Sequence, residues 1–289
     1  MREEMNIQWF PGHMTKARRM IEDMVKQVDG VCEIVDARIP ASSRNPDLDS
    51  LTGGRPRLII MNRTDQADPN VTAAWETFFR KQHAVTLKVD ARSGRGTERF
   101  PAAVRELLSH KIEEYRAKGQ TGRRLRVMVV GIPNVGKSTF INKIAGHRAA
   151  EVSDRPGVTK SKQWVAVDAG IDLLDTPGIL WPKFESQTVG ENLAFTGAVK
   201  DEILDRVTLG ANLMLRLRDE YPDRICSRYK FTPSAEADGF ELLEQAAAKR
   251  GFLLRGGEYD LERMAAVLLD EFRGGKLGRI TLESPPEGS

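Results

Sequence analysis

The chain of 289 residues is long enough for one large domain or two ordinary ones, and its composition is that of a globular protein. Its net charge of +3 is too small to indicate nucleic-acid binding by the chain as a whole. The two cysteines, Cys32 and Cys226, exclude a disulfide framework and a cysteine-rich zinc site. No apolar run reaches the roughly 18 residues of a membrane span, and the acidic N-terminus is not typical of a signal peptide. We therefore expect a cytoplasmic protein with no membrane partner.

Basic residues nevertheless cluster locally in three groups. The groups are Lys16, Arg18 and Arg19; Lys111, Arg116, Lys118, Arg123, Arg124 and Arg126; and Arg273, Lys276 and Arg279. Such groups can dock on phosphate backbones, but solvated helix faces and linkers carry similar runs. The pattern leaves both interpretations open.

Apolar runs bounded by turn residues predict strands alternating with helices in the first part of the chain. The predicted strands are 30–35, 56–61, 84–89, 125–130, 163–167 and 171–174, and the predicted helices are 20–28, 73–82, 100–118 and 137–145. Such alternation is typical of an α/β fold with a mostly parallel sheet.

Beyond about residue 188 the pattern changes to helical periodicity. Helical segments are predicted at 191–220, 235–250 and 260–273, and a strand-like run ends the pattern at 278–282. We predict an α/β domain over residues 1–185, a smaller all-helical domain over 186–283 and a disordered tail over 284–289.

A phosphate-binding loop, the P-loop, is predicted at Gly131–Ser138. The sequence GIPNVGKS fits GxxxxGK[ST], follows a strong strand and opens a helix, which is the context this motif requires. Lys137 should bridge the β- and γ-phosphates as part of the catalytic machinery, and Ser138 should hold Mg²⁺. The predicted phosphate-contacting residues are Asn134, Val135, Gly136, Lys137, Ser138 and Thr139. The motif alone does not distinguish GTP from ATP.

A second phosphate-side motif, Asp175-Thr-Pro-Gly178, follows the last predicted strand. A carboxylate at this spacing from a P-loop suits a role at Mg²⁺, so we assign that role to Asp175. The Gly178 N–H can meet the γ-phosphate. Thr159, in the loop between the two motifs, is the candidate for a second hydroxyl ligand of Mg²⁺. Read without the P-loop, DTPG is also a common turn sequence.

Base recognition is predicted upstream of the P-loop rather than downstream. The segment Asn62-Arg63-Thr64-Asp65 stands at a strand end, where many GTPases carry NKxD. The Asp65 carboxylate can accept both N–H groups of the guanine edge, which adenine does not offer. Asn62 should tie loops together, and Arg63, in place of the usual lysine, should lie along the base. Asp90-Ala91-Arg92, one strand later, replaces the usual SAK, whose backbone N–H contacts guanine O6.

Along the chain, the two predicted base-reading motifs come first, then the P-loop, and then the loop with Thr159 and the DTPG motif, which correspond to the two switch regions of GTPases. This order predicts a circularly permuted P-loop GTPase domain. Such a permutation is compatible with the fold, because the sheet needs only its neighbours in space and chain ends tolerate relocation to surface loops.

Several further segments resemble the circularly permuted GTPases of the YlqF type. They are Gln8-Trp-Phe-Pro-Gly-His13-Met, Asp36-Ala-Arg38-Ile-Pro, Ser43-Arg-Asn-Pro46, Gly257-Glu-Tyr-Asp260 and Phe272-Arg-Gly-Gly-Lys-Leu-Gly278. The resemblance covers nearly the whole chain. It implies a cytoplasmic bacterial factor for late assembly of the large ribosomal subunit, with a helical RNA-contacting domain after the GTPase. We expect GTP or GDP and the large subunit, its rRNA and proteins, as partners, and a monomer away from the ribosome.

Catalysis must use a group other than the glutamine of Ras-type enzymes, because Ile179 and Leu180 follow Gly178. The resemblance implies that His13 acts catalytically, although an RNA contact or a helix cap would also explain it. Asn134 matches the asparagine with which similar GTPases hold K⁺, so the expected cofactors are Mg²⁺ and K⁺.

Three functions remain open from the sequence. The first is a ribosome-activated GTPase, and the second is a GTP-gated RNA-docking module whose hydrolysis is incidental. The third, an ATPase, depends only on Arg63 replacing lysine.

Overall fold

The computed structural model describes residues 14–146, 163–168, 170–178, 184, 186–201 and 204–286. These residues divide into two compact units. The sheet unit contains the described residues between Phe10 and Pro182 together with residues 283–286, and the helical unit contains those between Lys183 and Leu282. Within these ranges, no helix has the length and apolar character needed to cross a bilayer.

The sheet unit is built on a sheet with the strand order β3-β2-β1-β4-β6-β5. The strands are β1 (Gly30–Asp36), β2 (Arg57–Asn62), β3 (Val85–Lys88), β4 (Leu125–Gly131), β5 (Gln163–Asp168) and β6 (Ile171–Asp175). Neighbouring strands are parallel except β5, which is antiparallel to β6. The predicted α/β fold with a mostly parallel sheet is therefore confirmed.

This sheet joins two contiguous stretches of chain. Strands β1–β3 form one half and β4–β6 the other, and the halves meet where β1 pairs with β4. Every residue of β1 is buried, which explains why its sequence is almost continuously apolar rather than alternating.

Helices cover both halves of the sheet. They are α1 (Met14–Val25), α2 (Leu48–Leu51), α3 (Pro69–Lys81), α4 (Phe100–Leu107), α5 (Ser109–Ala117) and α6 (Lys137–Ala145). Helix α1 packs through Ile21 and Met24 into a core with residues of β1, β4 and β6. Helix α3 packs through Trp75 and Phe79 against β1 and β2. These contacts fix the strands whose ends carry the predicted motifs.

The carboxyl ends of the parallel strands lie at one edge of the sheet. Asp36 pairs with Asn62 at the ends of β1 and β2, and β4 ends at Gly131, one strand away. Asp175, the last residue of β6, pairs with Val129 of β4. The register therefore places three of the predicted motifs at the same edge.

The predicted helix at 100–118 is in fact two helices, α4 and α5. Leu108 separates them because its backbone (φ −104°, ψ 20°) leaves the helical region while its side chain stays buried. A break at a single residue hardly alters the spacing of apolar residues, so the periodicity could not reveal it.

The strand-like run at 278–282 forms no strand. Its backbone groups are instead satisfied by side chains within the helical unit. The Thr281 N–H donates to the Tyr221 hydroxyl, which donates to the Thr281 carbonyl at 2.9 Å, and the Arg216 guanidinium donates to the Leu282 carbonyl. Buried apolar residues at 280 and 282 gave the pattern its strand-like appearance.

The helical unit is arranged around one buried helix. Its helices are α7 (Gln187–Phe195), α8 (Arg206–Glu220), α9 (Pro222–Tyr229), α10 (Gly239–Arg250) and α11 (Leu261–Arg273). Residues 208–217 of α8 are all buried, since α7, α9, α10 and α11 all contact this helix. The predicted segment 191–220 thus contains the end of α7 and all of α8.

A buried carboxylate, Glu271, ties three of these helices together. It accepts hydrogen bonds from Arg228 Nε at 3.0 Å, Arg250 Nη2 at 2.9 Å and the Tyr229 hydroxyl at 2.8 Å. Burial would raise the pKa of Glu271, but the hydrogen bonds and the two guanidinium charges outweigh burial and lower it. Glu271 is therefore ionised and stabilising at neutral pH.

We expect Glu271→Gln to lower the free energy of unfolding by about 2 kcal/mol at pH 7, because charge-assisted hydrogen bonds are lost. A depressed folded-state pKa contributes stability above the unfolded pKa and loses it as the pH falls. The deficit should therefore shrink below roughly pH 4. Denaturant unfolding at pH 7 and pH 3 measures the change in this deficit. Glu244→Gln, an exposed position on α10, is the control, and an equal deficit in both variants would contradict the role of Glu271.

Candidate nucleotide site

The P-loop connects β4 to α6 at the carboxyl edge of the sheet. Asn134 (φ 59°) and Gly136 (φ 94°) adopt left-handed backbone conformations, and α6 begins directly afterwards at Lys137. No side chain caps α6 among the described residues, so its first N–H groups are available to an anion. A loop of this shape at a helix N-terminus binds phosphate.

Two buried charges stand beside this loop. Lys137 Nζ contacts Asp175 Oδ1 in an ion pair, and both side chains are less than a tenth exposed. The Thr176 hydroxyl donates to the Val129 carbonyl at 2.6 Å and so fixes the end of β6. Buried charges are costly unless paired, which explains why these two groups contact each other.

The donor set next to Lys137 fits Mg²⁺, the metal expected from the sequence. The Ser138 hydroxyl and the Asp175 carboxylate are hard oxygen ligands, which Mg²⁺ prefers. The described residues contain no group of three or more His, Cys, Asp or Glu side chains that could hold a metal by itself. Nucleotide phosphates would have to complete the coordination, as is usual for Mg²⁺.

Asn62 joins three loops of the site. Its Nδ2 donates to the Val135 carbonyl of the P-loop at 2.8 Å, and its Oδ1 accepts the N–H of Ala91 at 3.0 Å. The side chain is buried, so both bonds are shielded from water. The predicted base loops therefore contact the phosphate loop directly.

Arg63 contacts the P-loop, and its place along the base stays a prediction. Its Nη2 donates to the Asn134 carbonyl at 2.8 Å, and its Nε lies 3.6 Å from Asp36 Oδ2. The guanidinium predicted to lie along the base is held against the P-loop, because this carbonyl and this carboxylate both attract it. Asp65, on the same loop, is exposed to solvent.

A buried ion pair behind Arg63 was not assigned a role from the sequence. Arg38 Nε donates to Asp36 Oδ1 at 2.9 Å and Arg38 Nη2 to Asp36 Oδ2 at 2.7 Å, with both residues almost fully buried. Burial would raise the pKa of Asp36, but the charge and hydrogen bonds of Arg38 and the charge of Arg63 outweigh it and lower the pKa. In the sequence, only an aspartate and an arginine at the end of a buried strand indicate this ion pair.

The second base loop is ordered by its own carboxylate. Asp90 Oδ1 accepts the N–H groups of Arg92 at 3.0 Å and Ser93 at 3.2 Å. Thr64 attaches this loop to the first one, because its hydroxyl donates to the Val89 carbonyl at 3.0 Å. The contact of this loop with guanine O6 stays a prediction.

The remaining predicted site residues are placed as follows. Gly178 lies beside the P-loop, since a Cβ there would come within 3.1 Å of Pro133 Cα. Thr139 is exposed in the first turn of α6. His13 and Thr159 lie outside the described residues, as do residues 287–289 of the predicted tail.

The sheet order, the P-loop after β4 and the loops predicted to read the base after β2 and β3 define a class, the circularly permuted P-loop GTPases. The family model described as a 50S ribosome-binding GTPase matches residues 126–223. Ribosome biogenesis GTPase A of Priestia megaterium is 45% identical over 98% of this chain and 98% of its own length.

Solved structures of YlqF share the fold. The GDP-bound TM YlqF has a TM-score of 0.65 and 29% identity, and covers 92% of this chain and 99% of its own. The GNP-bound YlqF from T. maritima has a TM-score of 0.64 and 30% identity, and covers 93% of this chain and 98% of its own. The chain belongs to the ribosome biogenesis GTPase A family. It is a GTPase with a role in ribosome biogenesis, and it binds GTP and GDP.

Proposed function

We propose that this GTPase acts in late assembly of the large ribosomal subunit and that the subunit activates its hydrolysis of GTP. The matched family model and the named relatives support the ribosomal partner. The proposal that hydrolysis needs activation rests on the residues at the phosphate side of the site. Lys137, Asp175 and Gly178 stand at the P-loop, but the next residues in the sequence, Ile179 and Leu180, have no group that orients water.

Each residue has a role in this proposal. Asp65 accepts the two guanine N–H groups, and the loop Asp90–Arg92 faces O6. Lys137 and the P-loop N–H groups hold the phosphates. Mg²⁺, when bound, would supply positive charge against the developing phosphate charge, and Ser138, Thr159 and Asp175 would hold it.

In this proposal, activation by the ribosomal subunit brings the imidazole of His13 to the γ-phosphate. A neutral imidazole can accept a hydrogen bond from the attacking water and orient it toward the γ-phosphate. The side chain of Asn134, next to the phosphates on the exposed part of the P-loop, would hold K⁺. That fixed positive charge would replace an arginine finger.

Turnover of GTP with and without large ribosomal subunits tests this function. We expect subunits to accelerate hydrolysis on the order of tenfold or more, since activating groups in GTPases supply large factors. His13→Ala should remove most of that acceleration and leave GTP affinity within about twofold. Replacing K⁺ by Na⁺ should also slow the stimulated reaction.

The alternative function predicts a different result. A GTP-gated docking module would bind subunits with GTP and release them with GDP, but its turnover would stay at the background rate. That outcome would overturn the proposed activation. Unchanged stimulated turnover in His13→Ala would remove His13 from the mechanism.

A further inference from the structure

A large basic pocket lies at the amino-terminal edge of the sheet, at the ends of the strands opposite to the P-loop. Its volume is about 490 Å³. It is formed by the segment between α1 and β1, by Arg55 before β2, by α5 and by the residues that lead into β4. None of the residues assigned to the nucleotide site lines it.

Positive charge is concentrated in the lining of this basic pocket. Seven cationic residues line it: Lys26, Arg55, Lys111, Lys118, Arg123, Arg124 and Arg126. Only two carboxylates, Asp29 and Glu114, are among the lining residues. The lining residues carry a surplus of five positive charges. Asp23, paired with Lys26 at 3.2 Å, and Asp172, paired with Arg124 at 2.8 Å, reduce it to three. That remainder equals the net charge of all 289 residues, so positive charge is concentrated here.

Both carboxylates are held by protein groups. Asp29 accepts a hydrogen bond from the Tyr115 hydroxyl at 2.7 Å and from the Arg126 N–H at 2.9 Å. Glu114 lies between Lys111 at 2.8 Å and Lys118 at 2.6 Å. These lysine pairs are exposed and contribute little to stability, so a phosphate can replace Glu114 at small cost.

Aromatic rings accompany the arginines. The Arg123 guanidinium lies 4.5 Å from the centroid of the buried Tyr115 ring. The Arg126 guanidinium lies 5.2 Å from the ring of Trp164, a large aromatic side chain on edge strand β5 that is 39% exposed. An exposed indole beside an arginine is a surface on which an unpaired base can stack.

We propose that this basic pocket and Trp164 form an RNA-binding surface of the sheet unit. The lysines and arginines contact consecutive phosphates, and an unpaired base stacks on Trp164. Pockets for small organic ligands are mostly apolar, which this one is not, and a single phosphate would not need seven cations from several segments. The biological identity of the RNA rests on the ribosomal role proposed above.

Fluorescence anisotropy with a fluorescein-labelled RNA hairpin carrying an unpaired loop tests the surface on the full chain. For Arg55→Glu/Arg126→Glu we expect affinity to fall about tenfold or more near 0.1 M salt, and the slope of log K against log salt to decrease by about two. Trp164→Ala should weaken binding of the hairpin about fivefold or more and leave binding of a blunt RNA duplex unchanged.

A matched control variant changes the net charge of the protein by the same amount as the pocket variant. Lys81→Glu/Arg99→Glu reverses two exposed cations outside the basic pocket and should bind the hairpin within about twofold of the wild type. The GTP affinity of each variant shows whether it is folded. If the GTP affinity of Arg55→Glu/Arg126→Glu falls, Arg55→Gln/Arg126→Gln is measured in its place. Equal losses in the pocket and control variants, or no loss in either, would overturn the inference.

Two further measurements separate RNA binding from protein binding and from the activation of GTP hydrolysis. Tighter binding of an acidic peptide than of the hairpin would assign the surface to a protein partner and overturn the RNA proposal. Subunit-stimulated GTP turnover is measured on the same variants. If the hairpin does not bind while wild-type stimulation persists, this inference fails and the proposed function stands.

Discussion

Gly136→Ala is expected to lower GTP affinity by about a hundredfold or more. A Cβ on Gly136 would lie 2.4 Å from Asn62 Nδ2, far inside van der Waals contact. Asn62 has little room to move, because it is buried and bonded to the Val135 carbonyl and the Ala91 N–H. The substitution therefore separates the base loops from the phosphate loop.

The expected size follows from two costs. A non-glycine residue at φ 94° costs about 1–3 kcal/mol, and loss of the buried Asn62 bonds costs a similar amount. A hundredfold loss of affinity corresponds to about 2.8 kcal/mol. Titration with a fluorescent GTP analogue measures the loss.

Gly122 provides the matched control. Its φ of 88° is similar, but a Cβ there would meet nothing within 4 Å. Gly122→Ala should therefore cost stability through backbone strain alone and leave GTP affinity within about twofold. Wild-type affinity in Gly136→Ala would show that the contact of Asn62 does not organise the site.

Asp65→Asn is expected to reverse the base preference of the site. Its carboxylate is proposed to accept the N1–H and 2-amino groups of guanine, and an amide would present a donor to one of them. Sites built to hydrogen-bond a polar group reject the mismatched ligand strongly, so we expect GTP affinity to fall about a hundredfold or more. Xanthosine triphosphate carries an oxygen in place of the 2-amino group and should gain affinity.

Competition among GTP, xanthosine triphosphate and ATP measures this change. The gain for the xanthine nucleotide is the internal control, since a merely damaged loop would bind none of them well. Loss of GTP without that gain would contradict the proposed contact. A wild-type protein that binds ATP as tightly as GTP would contradict base recognition by Asp65 altogether.

The sequence predicted those parts of the molecule that depend on local order. The P-loop was recognisable because strand β4, the glycines and α6 are adjacent along the chain. Asn62 and Asp90 were found because each follows an apolar run that could only be a strand. The α/β class followed from the same alternation.

The parts that escaped prediction are contacts between distant segments. Arg63 meets the Asn134 carbonyl across 71 positions, and no local pattern specifies that approach. The burial of Arg38 does not follow from its residue type, because only its paired hydrogen bonds to Asp36 make a buried guanidinium tolerable. His13 and Thr159 stay predictions, since both lie outside the described residues.

The division of the sheet into two contiguous halves has a thermodynamic consequence. The base loops belong to the half made of β1–β3 and the P-loop to the half made of β4–β6, so a guanine nucleotide bound as proposed spans the seam between β1 and β4. Its binding energy then opposes separation of the halves and not only movement of a loop. Nucleotide concentration should therefore set the melting temperature of the whole sheet unit, and the two halves should unfold as one when the site is filled.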